Sequence, residues 1–251
     1  MNDEFADFSN HLAQVSGNII KQYFRIKVNV DSKDDLSPVT IADQKSEELM
    51  RKEILKHFPD HGIIGEEFGN QNTDAEYVWV LDPIDGTKSF ISGALTFGTL
   101  IALLKNGTPI LGVINQPIIN EFLIGNNNEA KLNNTKVTVR SCNKISDAFL
   151  LTTDHFNIGK YQDQNKFDAL AKKVKLYRHW GDCYGYLLLA SGYVDIMIDP
   201  IMNLWDSMAL IPIVRGAGGI ISDYQGNDPV KGNSIVASCP GIHAEIIKAL
   251  N

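Results

Sequence analysis

Carboxylates at the ends of apolar runs are the residues of this chain best placed to do chemistry. In YVWVLDPIDGTKSF, from Tyr77 to Phe90, an apolar run from Val78 to Leu81 leads into Asp82, and Asp85 follows three residues later. Such a run suits a buried strand. Pro83 lacks an N–H and has a fixed φ, so it is expected to stop the strand's hydrogen-bond ladder. Gly86 and Thr87 then open a helical turn. Paired carboxylates at a strand end hold hard cations, and free N–H groups at a helix start hold phosphate oxygens. The plainer alternative is an Asp-Pro turn with Asp85 in solvent.

Two further segments repeat the pattern. GIIGEEF, from Gly62 to Phe68, is an apolar run ending in Glu66 and Glu67. NLWDSMALIPIVRGAGG, from Asn203 to Gly219, puts Asp206 in the first turn of a mostly apolar helix. An acid there also simply complements the helix dipole. Each acid has a local explanation. Three such segments, each with acids at the edge of a buried element, fit a shared cation cluster better than three coincidences.

Those acids must be positioned by elements spread over all 251 residues, enough for one large domain or two modest ones. Hydrophobic residues make up 44% and charged residues 21%, which excludes a disordered chain, a collagen-like fibre and a coiled coil. Acidic residues outnumber basic ones 30 to 23, a formal charge of −7 and the wrong balance for a free-standing nucleic-acid binder. The apolar stretches, such as Leu100 to Leu104, are too short to span a bilayer, so no membrane partner is expected. The start, MNDEFADF, reads as no signal peptide. Cys142, Cys183 and Cys239 are widely spaced and form no CxxC, so neither a disulfide framework nor a zinc ribbon is expected. The expected compartment is a reducing cytoplasm.

Apolar positions from Phe5 to Phe24 predict an amphipathic helix, and Thr40 can cap a second one running toward His57 and ending at Pro59. HGIIGEE, YVWVLD, TFGTLIALL, PILGVINQP and EFLIG read as strands, and Lys131 to Val139 as further strand with an Asn-Asn turn at Asn133. Beyond Ser141 strands and helices alternate. Strands are predicted at 148–152, 194–198, 220–222 and 234–238, and helices at 166–174, 183–191, 205–215 and 242–250. The chain therefore reads as two α/β halves, 1–140 and 141–251, joined without a flexible linker.

GEE (Gly65 to Glu67), DPIDGT (Asp82 to Thr87) and WD followed by GAGG (Trp205, Asp206, Gly216 to Gly219) together resemble the inositol monophosphatase-like, metal-dependent phosphatases, in the family's order and spacing across nearly the whole chain. DGTKSFISG, FGTLIALL and HWGDCYGY look most like the histidinol-phosphate phosphatase branch. The resemblance implies an αβαβα sandwich of two α/β halves and a homodimer. It also implies two or three Mg²⁺ ions per site, with Mn²⁺ an alternative. Glu66, Asp82 and the carbonyl of Ile84 would hold one ion, and Asp82, Asp85 and Asp206 a second. Glu66, Thr87 and Asp43 would serve catalysis, Thr87 and Asp43 orienting a metal-activated water for in-line attack. Two Mg²⁺ ions offset four carboxylates, so an acidic protein can accept a phosphate dianion.

On the substrate side the resemblance implies Gly86 and Thr87 for the phosphate, and Asp182, Cys183 and Asp199 for the leaving-group alcohol. The expected reaction is hydrolysis of a small phosphate monoester, L-histidinol phosphate, whose ammonium and imidazole could pair with Asp182 and Asp199. An inositol monophosphatase or a broad sugar- and nucleotide-phosphate phosphatase is the rival within the family. A non-catalytic RNA- or protein-binding regulator on the same fold is the rival of another class. Several residues keep plainer readings: Asp43 as a helix-surface acid, Asp182 as a helix cap, Cys183 as a packing residue, Lys88 at the solvent edge. His179 and Trp180 either line the pocket or pack. His57 and His61 straddle Pro59 and make a poor zinc pair, and GAGG reads as a helix end, not a dinucleotide loop.

Overall fold

The computed structural model of the chain describes residues 3–26, 30–32 and 38–251. The loop between Ser32 and Ser37, whose relation to the pocket the sequence leaves open, thus falls outside the described residues. The strand Tyr77–Asp85 shows how the layers arise. Successive side chains leave a strand on opposite faces. Val78 and Val80 enter one core, Trp79 and Leu81 another, so the strand is apolar on both sides and sits between two helical layers.

That strand belongs to an eight-stranded sheet in the spatial order Thr135–Val137, Ala130–Leu132, Glu121–Gly125, Thr108–Gln116, Gly98–Lys105, Tyr77–Asp85, Gly62–Gly65, Gly69–Gln71. Neighbours are antiparallel except Gly62–Gly65, which runs parallel to Tyr77–Asp85. Helices Asp3–Tyr23 and Ile41–His57 cover one face, packing Phe8, Leu12, Met50 and Ile54 on Trp79, Leu81, Ile101 and Leu103. Helices Asp182–Ala190 and Leu210–Gly216 cover the other, where Tyr186, Leu187, Leu210 and Ile213 meet Val78, Val80, Leu100 and Ile114. The same core includes Met197, Ile235 and Ala237 of the second sheet.

The second sheet has five strands in the order Leu176–His179, Phe149–Thr152, Ile196–Asp199, Ile235–Ser238, Ile220–Ser222. Its outer residues Leu150, Ile196, Ile198 and Val236 are capped by Ile158, Phe167, Leu170 and Ile246 of helices His155–Tyr161, Gln164–Ala171 and His243–Leu250. The result is the expected αβαβα layering.

Departures from the sequence reading have local causes. The Asn-Asn turn expected at Asn133 is present, joining strands Ala130–Leu132 and Thr135–Val137, with Asn133 and Asn134 both at positive φ (47° and 67°); only the strand's expected extension to Val139 is not seen. The helix predicted over 205–215 is two helices, Leu204–Ser207 and Leu210–Gly216. Pro212 explains the break, since its ring clashes with the carbonyl four residues back, at Met208. Helix His155–Tyr161 and strand Leu176–His179 escape the sequence reading. The first is a short helix capped by Asp154, and the second an edge strand of half-buried and exposed residues with no apolar run.

Candidate active site

Pro83 interrupts its strand without ending it, correcting the expectation that the ladder stops there. Asp82 pairs with Leu100 and Asp85 with Gly98, so three residues on one strand span two on the other. That extra residue is a β-bulge. In a regular strand side chains three apart would leave on opposite faces; the bulge brings both acids to one side. One carboxylate oxygen from each of Asp82, Asp85 and Asp206 lies within 4.8 Å of the others. Asp206 arrives from the third position of helix Leu204–Ser207, where the Asn203 N–H donates to its Oδ2 at 2.7 Å. It is thus both a helix-start acid and a member of the cluster.

Glu66 stands one residue beyond the neighbouring parallel strand, its N–H donating to the Leu81 carbonyl at 3.2 Å. Its charge acts on Asp82, Asp206 and Asp43, and it shares a hydrogen bond with Asp82. Asp43 is fully buried, which overturns its reading as a helix-surface acid. The Thr40 N–H and hydroxyl both donate to Asp43 Oδ2, at 2.9 and 2.5 Å. Among the described residues, nothing donates to the other oxygen, Asp43 Oδ1, nor to Asp82 Oδ1. Buried carboxylate oxygens without donors are costly unless a proton or cation compensates.

The electrostatics match that deficit. Burial lifts Asp82 well above the ordinary carboxylate range, helped by the charges of Glu66, Asp85 and Asp206. Burial raises Asp85 likewise, with Asp182 and Asp206 adding to it. Asp206 is pushed up to about 7 and Asp43 to about 6, by burial first, with hydrogen bonds from Asn203 and Thr40 holding them down. An all-oxygen donor set of this kind fits hard divalent cations such as Mg²⁺ or Mn²⁺.

Beyond the bulge, the Ile84 carbonyl accepts from the Thr87 hydroxyl at 3.1 Å, at the start of helix Thr87–Ile91. Gly86, just before that helix, has φ of 81°, and a Cβ on it would sit 2.9 Å from Asp182 Cγ. Glycine is therefore required here twice, for its conformation and for the close approach. Asp182 does not cap its helix, contrary to the plainer reading. Its carboxylate instead accepts from Ser89 Oγ at 2.6 Å and Thr96 Oγ1 at 3.4 Å. Burial pushes it up to about 6, with the Ser89 hydrogen bond opposing. The next residue links the two halves of the chain, as the Cys183 N–H donates to Asp85 Oδ2 at 2.5 Å. The Cys183 thiol is buried and lifted well above its usual range by that burial, so it packs and is not a nucleophile.

Asp199, expected to touch substrate, is only 4% exposed. Its oxygens accept from the Thr153 N–H and the Tyr186 hydroxyl, both at 2.9 Å. It therefore stands behind the pocket wall, holding Thr153, whose own hydroxyl accepts the Asp182 N–H at 3.1 Å. A cavity of about 370 Å³ opens beside Asp182, lined by Lys88, Ser89, Thr153, Asp154, His155, Phe156, His179 and Trp180. His179 and Trp180 thus line the pocket, and Lys88 lies exposed at its rim. Sequence reasoning missed Ser89, Thr153 and Asp154 to Phe156. The capping signal of Asp154 was the one local clue, because Thr153 meets its partners across 29 and 46 residues. His61 accepts from the Trp79 indole at 3.1 Å, and Gly218 with φ of 80° follows the helix ending at Gly216, as the declined motifs implied.

The family description "Inositol monophosphatase family" matches residues 1–251. The bifunctional phosphatase IMPL2, chloroplastic, of Arabidopsis thaliana is 49% identical over 89% of this chain, which spans 65% of that protein's length. A histidinol-phosphatase of Chlorobaculum parvum is 38% identical over 95% of this chain and 93% of its own. Among solved structures, an inositol monophosphatase of Zymomonas mobilis superposes with a TM-score of 0.89 at 36% identity, covering 99% of this chain and 98% of the other.

Proposed function

The chain belongs to the inositol monophosphatase family and is a phosphoric monoester hydrolase, and from that premise we propose that it hydrolyses L-histidinol phosphate to L-histidinol and phosphate with Mg²⁺. The observation that carries the substrate choice is the cavity beside the carboxylate cluster. Asp154 and Asp182 give it negative charge, and His155, Phe156, His179 and Trp180 give it flat ring surfaces. Such walls suit a leaving group carrying an ammonium and an imidazole. An inositol ring offers only hydroxyls, and gains less there.

In this reading Glu66, Asp82 and the Ile84 carbonyl would hold one ion, and Asp82, Asp85 and Asp206 a second, and the family resemblance adds a weaker third near Glu66. When bound, the ions offset the acids and supply Lewis acidity toward phosphate and water. The Gly86 and Thr87 N–H groups seat the phosphate. Thr87 and Asp43 orient the attacking water, and Glu66, whose charge reaches Asp43, serves catalysis with them. The Cys183 N–H keeps Asp85 aimed into the cluster. Asp182 faces the cationic alcohol, and Asp199 adds charge from behind while fixing Thr153. Residues 1–140 thus provide most cation ligands, and 141–251 the alcohol pocket and Asp206.

Phosphate release from L-histidinol phosphate and from inositol 1-phosphate, measured side by side with Mg²⁺, tests the proposal. A kcat/KM at least about tenfold higher for the histidinol ester is expected, equivalent to about 1.4 kcal/mol of differential binding. The reverse preference would make the chain an inositol-phosphate phosphatase, a reading favoured by the similarity to the Zymomonas mobilis structure. Comparable rates on sugar and nucleotide phosphates would mark a broad enzyme. Inertness toward every ester would point to a binding protein on this fold.

A further inference from the structure

The outer helical layer carries a second set of metal-capable side chains, of a different chemistry from the carboxylate cluster. Helix Asp3–Tyr23 bears Asp7 and His11, and helix Ile41–His57 bears Glu53 and His57. In each helix the acid stands four residues before the imidazole, so each pair shares a face. The two helices pack together, and all four side chains line one surface hollow of about 540 Å³.

Glu53 is where the two imidazoles meet. His11 Nε2 lies 2.9 Å from Glu53 Oε2, and His57 Nδ1 lies 3.8 Å from the same oxygen. Buried Phe8 sits beneath both rings, its centroid 6.0 Å from that of His11 and 5.0 Å from that of His57. The hollow therefore has an apolar floor that limits where the imidazoles can turn. Glu4, Asp7 and Glu53 outweigh Lys56 in its lining, which favours a cation. The rings are accessible, with side chains 43% and 41% exposed, while Glu53 is held at 15%. His57 Nδ1 also lies 2.9 Å from the Glu53 carbonyl, a contact the ring would give up in turning to an ion.

We propose that Asp7, His11, Glu53 and His57 form a site for one late first-row divalent ion, with Zn²⁺ as the reference case, that clamps the two outer helices together. Two imidazoles and two carboxylates suit Zn²⁺, Ni²⁺ or Cu²⁺, whereas Mg²⁺ favours oxygen ligands alone. The two sites thus sort ions by donor type. They are also separate in space. Asp43 lies in the first turn of the helix that carries Glu53, ten residues earlier, which is about 15 Å along the axis.

Zn²⁺ titrated calorimetrically into the full chain under saturating Mg²⁺ tests the site. One equivalent is expected to bind, and to raise the melting temperature by tying the helices. Cu²⁺ in its place should show coupling to two imidazole nitrogens in its paramagnetic resonance spectrum. The double variant His11→Gln and His57→Gln should weaken that binding on the order of tenfold or more, and Glu53→Gln, which keeps both rings, should weaken it as well. Mg²⁺-supported phosphatase activity should be unchanged in the double variant, since neither histidine touches the reacting groups. Wild-type Zn²⁺ affinity in the double variant overturns the proposal. So does displacement of the bound Zn²⁺ by excess Mg²⁺, which would assign it to the carboxylate cluster.

Discussion

Asp82 combines a buried oxygen that no donor among the described residues reaches with the repulsion of three neighbouring acids. Removing its charge relieves that repulsion and removes the ligand shared between the two proposed ions. Asp82→Asn is therefore expected to lose turnover by on the order of 10³-fold, the scale of deleting one strong electrostatic stabiliser at a reacting centre. Its melting temperature without metal should not fall below that of the wild type. Turnover near wild type would end Asp82's role as shared ligand. Cys183 makes a contrast within the same site, because its contribution runs through the backbone. The Cys183 N–H holds Asp85, and Cys183→Ala keeps that N–H. Steady-state kinetics of this variant should stay close to wild type, and a large loss of kcat would return the thiol to the chemistry. Asp182 bears on specificity, lining the pocket with its Oδ2 accepting from the hydroxyls of both Ser89 and Thr96. Asp182→Asn should raise KM for a cationic ester more than for a neutral one, and equal shifts would dissociate it from charge recognition.

The acids reach one another because particular elements approach closely. Helix Leu210–Gly216 lies on strand Thr108–Gln116 so tightly that a Cβ on Gly112 would meet the Ala209 carbonyl oxygen at 2.0 Å. That contact is backbone, and cannot turn aside. Gly112→Ala is expected to destabilise the fold by roughly 1–3 kcal/mol, the usual cost of overpacking, read as a lower denaturant midpoint. It should also reduce turnover, because the helix carrying Asp206 directly precedes this one. A wild-type midpoint would mean that the helix shifts freely. The same close approaches explain what the sequence disclosed. Strand Tyr77–Asp85 was legible because its apolar run from Val78 to Leu81 is unbroken, Glu66 and Asp82 because each ends such a run, Asp85 because it follows Asp82 by three residues, and Asp206 because it stands in the first turn of an apolar helix. The bulge was only half legible, since Pro83 announces a disrupted ladder but not its resumption at Asp85. Asp182's partners Ser89 and Thr96, and Thr153 behind it, had no signal, as those bonds join hydroxyls to groups far along the chain. Pro212 was visible, yet the apolar pattern around it outweighed its cost as a helix breaker.

Across the whole molecule, the layers bring together acids from positions 43, 66, 82, 85 and 206, and their repulsion is a liability that bound cations remove. The liability depends on pH with a definite sign. Asp206 and Asp43 are raised to about 7 and about 6, against an ordinary value near 3.9. Between those limits the folded metal-free chain holds protons that the unfolded chain has released. Its stability from these groups is therefore full at low pH and is lost as pH rises through about 6 to 7. Cation binding needs the ionised acids, so it strengthens over the same interval. Buried His243, lowered to about 4, acts in the opposite sense, losing its contribution as pH falls below about 6.5. It does so with or without metal, and cancels when the two states are compared at one pH. The rise in melting temperature on adding Mg²⁺ should thus be largest near pH 8, roughly 5–10 °C at a hundredfold excess over Kd. By pH 5.5 it should have shrunk to a small fraction of that. Thermal melts with Mg²⁺ and with EDTA at both pH values provide the comparison. An increment independent of pH would mean that the ions bind without displacing protons, and that the acid cluster is not where they go.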